Sequence, residues 1–200
     1  MKYPIGIQEF EKIIKGDYVY VDKTALIYRL VTEGSIYFLS RPRRFGKSLL
    51  VSTLEAYFQG RKDLFKGLAI DELETEWVEH PVFHISFGGE NFIEQGALES
   101  KITTALNKWE ELYGKSPNAT TFGGRFLYTL QAAHQKTGKR VVVLVDEYDK
   151  PLLDVLDTGY STKIEGQERL LEEHHRNILK GLYSVFKEAD ANLQFVLLTG

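Results

Sequence analysis

YFLSRPRRFGKSL, residues 37–49, is the most informative stretch of this sequence. Together with Ile36 it begins as a short, apolar, β-favouring run, which predicts a strand over residues 36–39. Pro42 disfavours helical geometry at the residue before it, so a loop must follow the strand. From Lys47 onward apolar residues recur at helical spacing, at Leu50, Leu54, Tyr57 and Phe58. The stretch therefore predicts a strand, a loop and a helix in direct succession.

The triplet Gly46, Lys47 and Ser48 lies between this strand and this helix, which is where phosphate-binding loops occur. The glycine leaves backbone N–H groups free to surround phosphate oxygens, and the helix N-terminus adds a partial positive charge. The lysine suits the β- and γ-phosphate oxygens, and the serine hydroxyl suits Mg²⁺. A basic surface turn before an ordinary helix is the alternative interpretation.

The loop departs from the general phosphate-loop pattern at its start. That pattern has a glycine five residues before Gly46, where this chain has Arg41, followed by Pro42 without an N–H. We therefore expect the loop to turn differently. Arg43 or Arg44 is expected to supply positive charge that backbone amides supply elsewhere.

An acidic pair follows the most apolar run of the chain. Residues 141–145 are all Val or Leu, as in a central parallel strand covered on both faces, and Asp146 and Glu147 come next. In a nucleotide hydrolase the first carboxylate holds the Mg²⁺ shell and the second orients and deprotonates water. Thr199 directly follows another predicted strand, over residues 195–198, at a place where its hydroxyl would sense the γ-phosphate or the water. Solvated acids at a strand end are the simpler alternative.

The remaining chain alternates between strands and helices. Helices are predicted over residues 23–32, 94–113, 122–135 and 167–189, a strand over 82–87, and a polar loop over 157–166. This alternation predicts an α/β fold with a mainly parallel sheet and ligand sites at the carboxyl ends of the strands.

Composition limits the class of protein. The 200 residues are 43% hydrophobic and 26% charged, as in one folded domain, and the absence of cysteine suits a reducing, cytoplasmic compartment. The N-terminus has no signal-peptide pattern, and no apolar run is long enough to cross a bilayer. Residues 1–66 contain 12 Lys and Arg against 7 Asp and Glu, while residues 67–200 contain 13 against 21. A local anionic ligand is favoured.

Two further groups of residues have competing interpretations. Tyr18, Tyr20, Asp22 and Lys23 precede the loop on the side where an adenine would lie, but Asp22 is also a good helix cap and the tyrosines suit packing. The histidines His80, His84, His174 and His175 are better explained as packed or solvated side chains than as metal ligands.

Four segments resemble the bacterial AAA-ATPase-like family: YVDKT at residues 20–24, residues 37–49, VVLVDEYDKP at 142–151 and LLTG at 197–200. The likeness spans essentially the whole chain, and within it Arg41 is the family's own form. It implies a P-loop NTPase three-layer sandwich, with a helical lead-in over residues 1–34 and a nucleotide-binding core over 35–200. By that likeness Gly46, Lys47 and Ser48 would be nucleotide contacts, and Asp146 with Glu147 would form the second motif. For the loop as a whole we expect nucleotide contacts at Arg43, Arg44, Phe45, Gly46, Lys47, Ser48 and Leu49.

The same resemblance implies more chain than these 200 residues. Members often carry a C-terminal domain similar to PD-(D/E)XK nucleases, and a further strand and an arginine-bearing helical part normally follow the last strand. We therefore expect a fold truncated at its C-terminus, with a nuclease-like domain or a separate protein as partner and nucleic acid reached only through that partner.

The leading hypothesis is an ATP-binding, Mg²⁺-dependent ATPase that drives or gates a partner, with Ser48 and Asp146 at the metal and Glu147 and Thr199 catalytic. One alternative is a nucleotide-binding switch without catalysis. Another is a nucleic-acid-binding module that uses Arg41, Arg43 and Arg44. A P-loop kinase is disfavoured because the adjacent Asp and Glu suit water as the acceptor. The oligomeric state stays open.

Overall fold

The computed structural model describes residues 2–42, 44–164 and 166–200, with the backbone alone at residue 164. They divide into two compact units. The first unit comprises residues 2–84, 139–146 and 194–200, and the second comprises residues 85–138 and 147–193.

The helices and strands alternate along the chain. The helices are α1 (Phe10–Lys15), α2 (Thr24–Glu33), α3 (Lys47–Phe58), α4 (Ala69–Leu73), α5 (Ala97–Tyr113), α6 (Phe122–Thr137), α7 (Lys150–Leu153), α8 (Leu171–Tyr183) and α9 (Val185–Glu188). The strands are β1 (Ile36–Leu39), β2 (Val82–Ser86), β3 (Val141–Asp146), β4 (Ser161–Ile164), β5 (Gln167–Leu170) and β6 (Leu193–Thr199). Single 3₁₀ turns cover Lys62–Leu64 and Asp190–Asn192.

The main sheet has four strands in the order β1-β6-β3-β2 and is mainly parallel. Every residue of β3 is buried, which explains its unbroken apolar sequence. Val142 and Leu144 of β3 share one hydrophobic cluster with Val51 and Leu54 of α3. The helix that follows the loop is therefore packed onto the sheet. The prediction of an α/β fold with a mainly parallel sheet is confirmed.

The second unit is largely helical. Helix α6 begins at a capping threonine, Thr121, whose side chain accepts a hydrogen bond from the Gly124 N–H. Its Arg125 pairs with Glu110 of α5 at 2.8 Å, and both side chains are largely buried. The unit also contains the two-stranded antiparallel sheet of β4 and β5.

The predictions for the sheet elements are confirmed at residues 36–39, 82–86, 141–145 and 195–198, and the helix from Lys47 is confirmed. The predictions around residues 157–170 are wrong. β4 and β5 form a hairpin where a loop and the start of a helix were expected, and the helix begins only at Leu171. Gly166, with φ of 80°, lies in the turn between the strands, and the polar strand residues gave no apolar alternation to mark them.

Within the described ranges, we find no helix that combines the length and the apolar character needed to cross a membrane.

Candidate functional site

The carboxyl ends of β1, β6 and β3 lie side by side in the first unit. Leu39, the last residue of β1, pairs with Thr199, the last residue of β6. The Thr199 hydroxyl donates a hydrogen bond of 2.5 Å to Oδ1 of Asp146, the last residue of β3. The three strands therefore end at one edge of the sheet, where ligands bind in open α/β folds.

The pair of Asp146 and Thr199 is buried. Asp146 is only 5% exposed and Thr199 is 0% exposed. A buried carboxylate needs hydrogen-bond donors to compensate for its lost hydration, and Thr199 supplies one. The structure thus gives Thr199 a contact with the carboxylate. Its predicted role beside the γ-phosphate stays a prediction.

The loop after β1 starts as a continuation of the sheet and then turns sharply. The Arg41 N–H donates to the Gly200 carbonyl at 3.0 Å, which extends the β1–β6 ladder beyond Leu39. Gly46 has φ of 78° and Arg44 has φ of 69°, both in the left-handed region. That conformation costs a non-glycine residue roughly 1 to 2 kcal/mol. Among the described loop residues the backbone strain therefore lies at Arg44. That the loop turns differently from the general pattern stays a prediction.

Lys47 reaches back over its own loop. Its Nζ donates to the carbonyl oxygen of Arg41 at 2.5 Å and lies 3.4 Å from that of Pro42. Across the part of the chain described, Lys47 forms no ion pair with a carboxylate. Among the described residues the partners of its ammonium are neutral carbonyl groups, which an anion can replace.

A cavity of about 640 Å³ lies against this loop, within the first unit. Its cationic lining residues are Lys23, Arg41 and Lys47, and no Asp or Glu is among the described residues that line it. Most of the remaining wall is apolar, formed by Pro4, Ile13, Val19, Tyr20, Val21, Leu26, Ile27, Leu30, Tyr37, Phe38, Leu39, Phe45, Leu49, Leu50 and Leu197. The volume of the cavity is typical of small-molecule sites. Its cationic and apolar lining residues suit a ligand that has both an anionic group and an apolar part.

The predicted loop contacts divide into three sets. Phe45, Gly46, Lys47 and Leu49 line the cavity. Arg44 and Ser48 are outside its lining, Ser48 being the second residue of α3. Arg43 lies outside the described residues.

The four residues considered for the base side also divide. Tyr20 and Lys23 line the cavity, whereas Tyr18 and Asp22 do not. Tyr18 lies beneath the ammonium of Lys2, 5.9 Å from ring centre to nitrogen. Asp22 accepts hydrogen bonds from the N–H and the hydroxyl of Thr24, the first residue of α2. The N-cap position of α2 is Lys23, without a side-chain cap bond, so Asp22 lies one residue before the cap that was predicted for it.

Tyr20 is held in place by packing and by one polar contact. Its ring meets Phe10 edge-on at 5.3 Å, and its hydroxyl is hydrogen-bonded to Thr53 of α3. Burial, and then the negative charge of Asp22, raise the pKa of Tyr20 to about 12, against the lowering effect of the Thr53 bond. Tyr20 is therefore a neutral, fixed part of the cavity wall at physiological pH.

Glu147 belongs to the second unit and has an unusual backbone. Its φ is 54°, in the left-handed region. A Cβ added to Gly88, just beyond β2, would lie 3.4 Å from both Cδ and Oε1 of Glu147 and 3.3 Å from Oγ of Ser86. Gly88 therefore lies next to the Glu147 carboxylate, at a distance where an added Cβ would make ordinary van der Waals contact.

The oxygen donors of Asp146, at the end of β3, and of Ser48, in α3, can be tested for fit to Mg²⁺. Among the described residues no group of three or more His, Cys, Asp or Glu is arranged to hold a metal ion. Nucleotide-bound Mg²⁺ does not need such a group, because it keeps several waters and takes only one or two protein oxygens besides the phosphates. Asp146 and Ser48 offer oxygen donors of the required kind, so their chemistry fits Mg²⁺.

Sequence reasoning missed most of the apolar wall. Val21, Leu26 and Phe38 were not considered as site residues, yet all three line the cavity. One signal was available for Leu26, which lies on the predicted apolar face of α2 but is 59% exposed in the structure. A helix face with more apolar residues than the core can cover is a reason to search for a ligand.

Sequence similarity to known proteins gives one further observation about this chain. The AAA-ATPase-like family model, described as "Predicted AAA-ATPase", matches residues 4–200. A curated protein of Azotobacter chroococcum mcd 1, "Uncharacterized protein in vnfD 5'region", is 45% identical over 201 residues, which cover 100% of this chain and 37% of that protein. No solved structure matches the chain. The resemblance inferred from the motifs is thus confirmed, and the chain belongs to the AAA-ATPase-like family.

Proposed function

We propose that this chain binds ATP with Mg²⁺ and hydrolyses it to ADP and phosphate, and that the reaction drives or gates a partner domain or protein. The observation that carries the proposal is the cavity beside the loop, which Lys47 and two other cations line without any described carboxylate. A nucleotide combines an aromatic base with a polyanionic tail, and this wall is complementary to both.

In this proposal the triphosphate lies along Gly46, Lys47 and Ser48. The N-terminus of α3, a helix of 12 residues, points its free N–H groups and its partial positive charge at the phosphates. Lys47 exchanges the neutral carbonyl of Arg41 for anionic phosphate oxygens, so that both the donor and the acceptor of the bond are charged. The base occupies the apolar part of the cavity, beside Tyr20.

Mg²⁺, when bound with the nucleotide, neutralises charge that develops on the phosphates. The Ser48 hydroxyl and the Asp146 carboxylate would hold it. Thr199 keeps the Asp146 carboxylate in one orientation through its hydrogen bond. Glu147 orients the attacking water and accepts its proton as the water oxygen bonds to the γ-phosphorus and the bond to the β-phosphate oxygen breaks.

Binding is tested by thermal unfolding with and without ATP and Mg²⁺. If ATP binds only the folded protein, ligand at a hundred times its dissociation constant adds about 2.7 kcal/mol of stability. Lys47→Ala should remove this gain. An equal gain in the wild type and in Lys47→Ala would reject the site.

Turnover is tested by phosphate release. Glu147→Gln removes the proton acceptor but keeps the shape, so we expect ATP binding to persist while phosphate release falls. Slow wild-type turnover is compatible with the proposal, because a missing arginine finger lowers rates by roughly 10³ to 10⁵. Turnover that is unaffected by Glu147→Gln would remove Glu147 from the mechanism.

The nucleic-acid alternative makes a different prediction. Binding through Arg41 and Arg44 would fall steeply with salt and would depend on Lys47 only as one charge among several. A titration of single-stranded DNA and of ATP against Lys47→Ala therefore distinguishes the two. The chain spans 37% of the length of its curated relative. That a partner domain or protein is driven by the reaction is part of the proposal.

A further inference from the structure

Lys23 lines the same cavity as Lys47 but lies far from it in the chain. We propose that Lys23 is a second phosphate-binding lysine, held in position by its two neighbours Asp22 and Thr24. This inference rests on the proposed nucleotide function. It assigns phosphate binding to a second lysine of the cavity, from a segment that precedes the loop in the chain.

The neighbours of Lys23 form a fixed clamp. Oδ1 of Asp22 accepts hydrogen bonds from the Thr24 N–H at 2.8 Å and from the Thr24 hydroxyl at 2.7 Å. Oδ2 of Asp22 accepts from the Ala69 N–H at 2.7 Å, and Oγ1 of Thr24 accepts from the Ile70 N–H at 3.1 Å. The clamp thus joins the start of α2 to the start of α4 and sets the backbone on both sides of Lys23.

The clamp also uses the negative charge of Asp22. Burial tends to raise the pKa of Asp22, but the hydrogen bonds from Thr24 and Ala69 outweigh it and lower that pKa. The carboxylate stays ionised, and both of its oxygens are engaged by the clamp. Asp22 therefore does not pair with Lys23, although it is the adjacent residue.

Lys23 itself is an exposed cation for which no ion pair is found among the described residues. The apolar, exposed side chains of Val21 and Leu26 line the same cavity. A lysine beside an apolar wall can lay its methylene groups on that wall while its ammonium stays in water, where an anion can reach it. An ammonium is a compact point charge that suits phosphate oxygens better than the face of a base.

The test is a calorimetric titration of ATP, AMP and adenosine into the wild type, Lys23→Met, Lys23→Arg and Lys66→Met. Lys66 is exposed in the same unit and does not line the cavity, so Lys66→Met removes the same charge elsewhere. Loss of one charge-assisted contact should weaken ATP binding roughly tenfold in Lys23→Met. The loss should be smaller for AMP and absent for adenosine, and Lys23→Arg should restore most of the ATP affinity.

The outcomes separate this inference from the proposed function. Wild-type affinity for ATP in Lys23→Met, with binding abolished by Lys47→Ala, would overturn the role of Lys23 and leave the ATP site standing. An equal loss for adenosine and ATP would show contact with the nucleoside and would also overturn it. If the wild type bound no nucleotide at all, both the inference and the proposed function would fail.

Discussion

The loop between β1 and α3 differs from the strand ends of β3 and β6 in exposure and in bonding. The loop is exposed, with Phe45 64% exposed and Arg44 in a left-handed conformation, and the Lys47 ammonium bonds to loop carbonyls. Asp146 and Thr199, by contrast, are buried and bonded to each other. The difference suits the proposed function, in which the exposed loop would meet the phosphates and the buried strand ends would offer oxygen atoms already held by a hydrogen bond.

The largest effect on stability is expected at the strand ends. Thr199→Val keeps the shape of the side chain but leaves the buried Asp146 carboxylate without this donor, which should cost about 1 to 3 kcal/mol of unfolding free energy. Urea denaturation measures the change.

Thr129→Val is the matched control for Thr199→Val. Thr129 is equally buried, but its hydroxyl donates to the Arg125 carbonyl within one helix, so its loss should cost less. If the two valine variants lost the same stability, the Asp146–Thr199 pair would not be the special contact that the comparison requires.

A second prediction concerns Gly88 and its neighbour Glu147. A Cβ at Gly88 would only make van der Waals contact with the Glu147 carboxylate, at 3.4 Å, so a larger side chain is needed to displace that carboxylate. If Glu147 is the proposed base, Gly88→Val should lower phosphate release roughly tenfold while ATP affinity stays unchanged. Steady-state kinetics separates kcat from KM, and Gly181→Val, where an added Cβ meets nothing within 4 Å, is the matched control. Equal turnover in Gly88→Val and Gly181→Val would contradict this prediction.

A third prediction separates backbone strain from ligand binding in the loop. Gly46 and Gly67 have φ of 78° and 79°, and an added Cβ at either meets nothing within 4 Å. Each change to alanine should therefore cost about 1 kcal/mol of stability through backbone strain alone. Only Gly46→Ala should also weaken ATP binding in a calorimetric titration. Equal ATP affinities in the two variants would place the phosphates away from this loop.

The smallest expected effect is a pH dependence of the unfolding free energy, which arises at His175, outside both the loop and the strand ends. His175 is fully buried, and its Nδ1–H donates to the Pro151 carbonyl at 3.0 Å. Burial lowers the pKa of His175, against the raising effects of that bond and of the charges of Glu99 and Asp154, while His174 lowers it further. Protonation therefore favours the unfolded chain, so the stabilisation is complete above the unfolded pKa of about 6.5 and falls as the pH drops toward the folded value.

Urea denaturation at several pH values measures this contribution. Burial also lowers the pKa of His80, so the wild type should lose stability on acidification through both groups. His175→Gln should show a shallower loss between about pH 7 and pH 5.5 than the wild type. A slope as steep as that of the wild type would mean that His175 does not carry the dependence.

The sheet and the loop could be predicted because their signals are local. The apolar run at residues 141–145 and the change to helical spacing at Lys47 each occur within a few residues, and both elements formed where expected. The β4–β5 hairpin could not be predicted in the same way. Its described side chains are mostly polar and exposed, so they leave no apolar alternation in the sequence.

The site could be predicted only in part, because its walls come from distant segments. The triplet at Gly46 indicated the phosphate side, but nothing local shows that Val21 and Leu50 face one cavity. The bond between Asp22 and the Ala69 N–H joins residues 47 positions apart, and the bond between Thr199 and Asp146 joins residues 53 apart. Such contacts depend on the tertiary fold, which spacing along the chain does not reveal.

The central claim is that the loop and the strand ends serve one bound nucleotide and its metal. It is tested most directly by NMR of the labelled protein with ATP and Mn²⁺, a paramagnetic substitute for Mg²⁺ that broadens the signals of nearby nuclei. We predict broadening of the amide signals of both Lys47 and Thr199, and its loss in Lys47→Ala. Broadening of only one of the two signals, or of neither at saturating ATP, would contradict the claim.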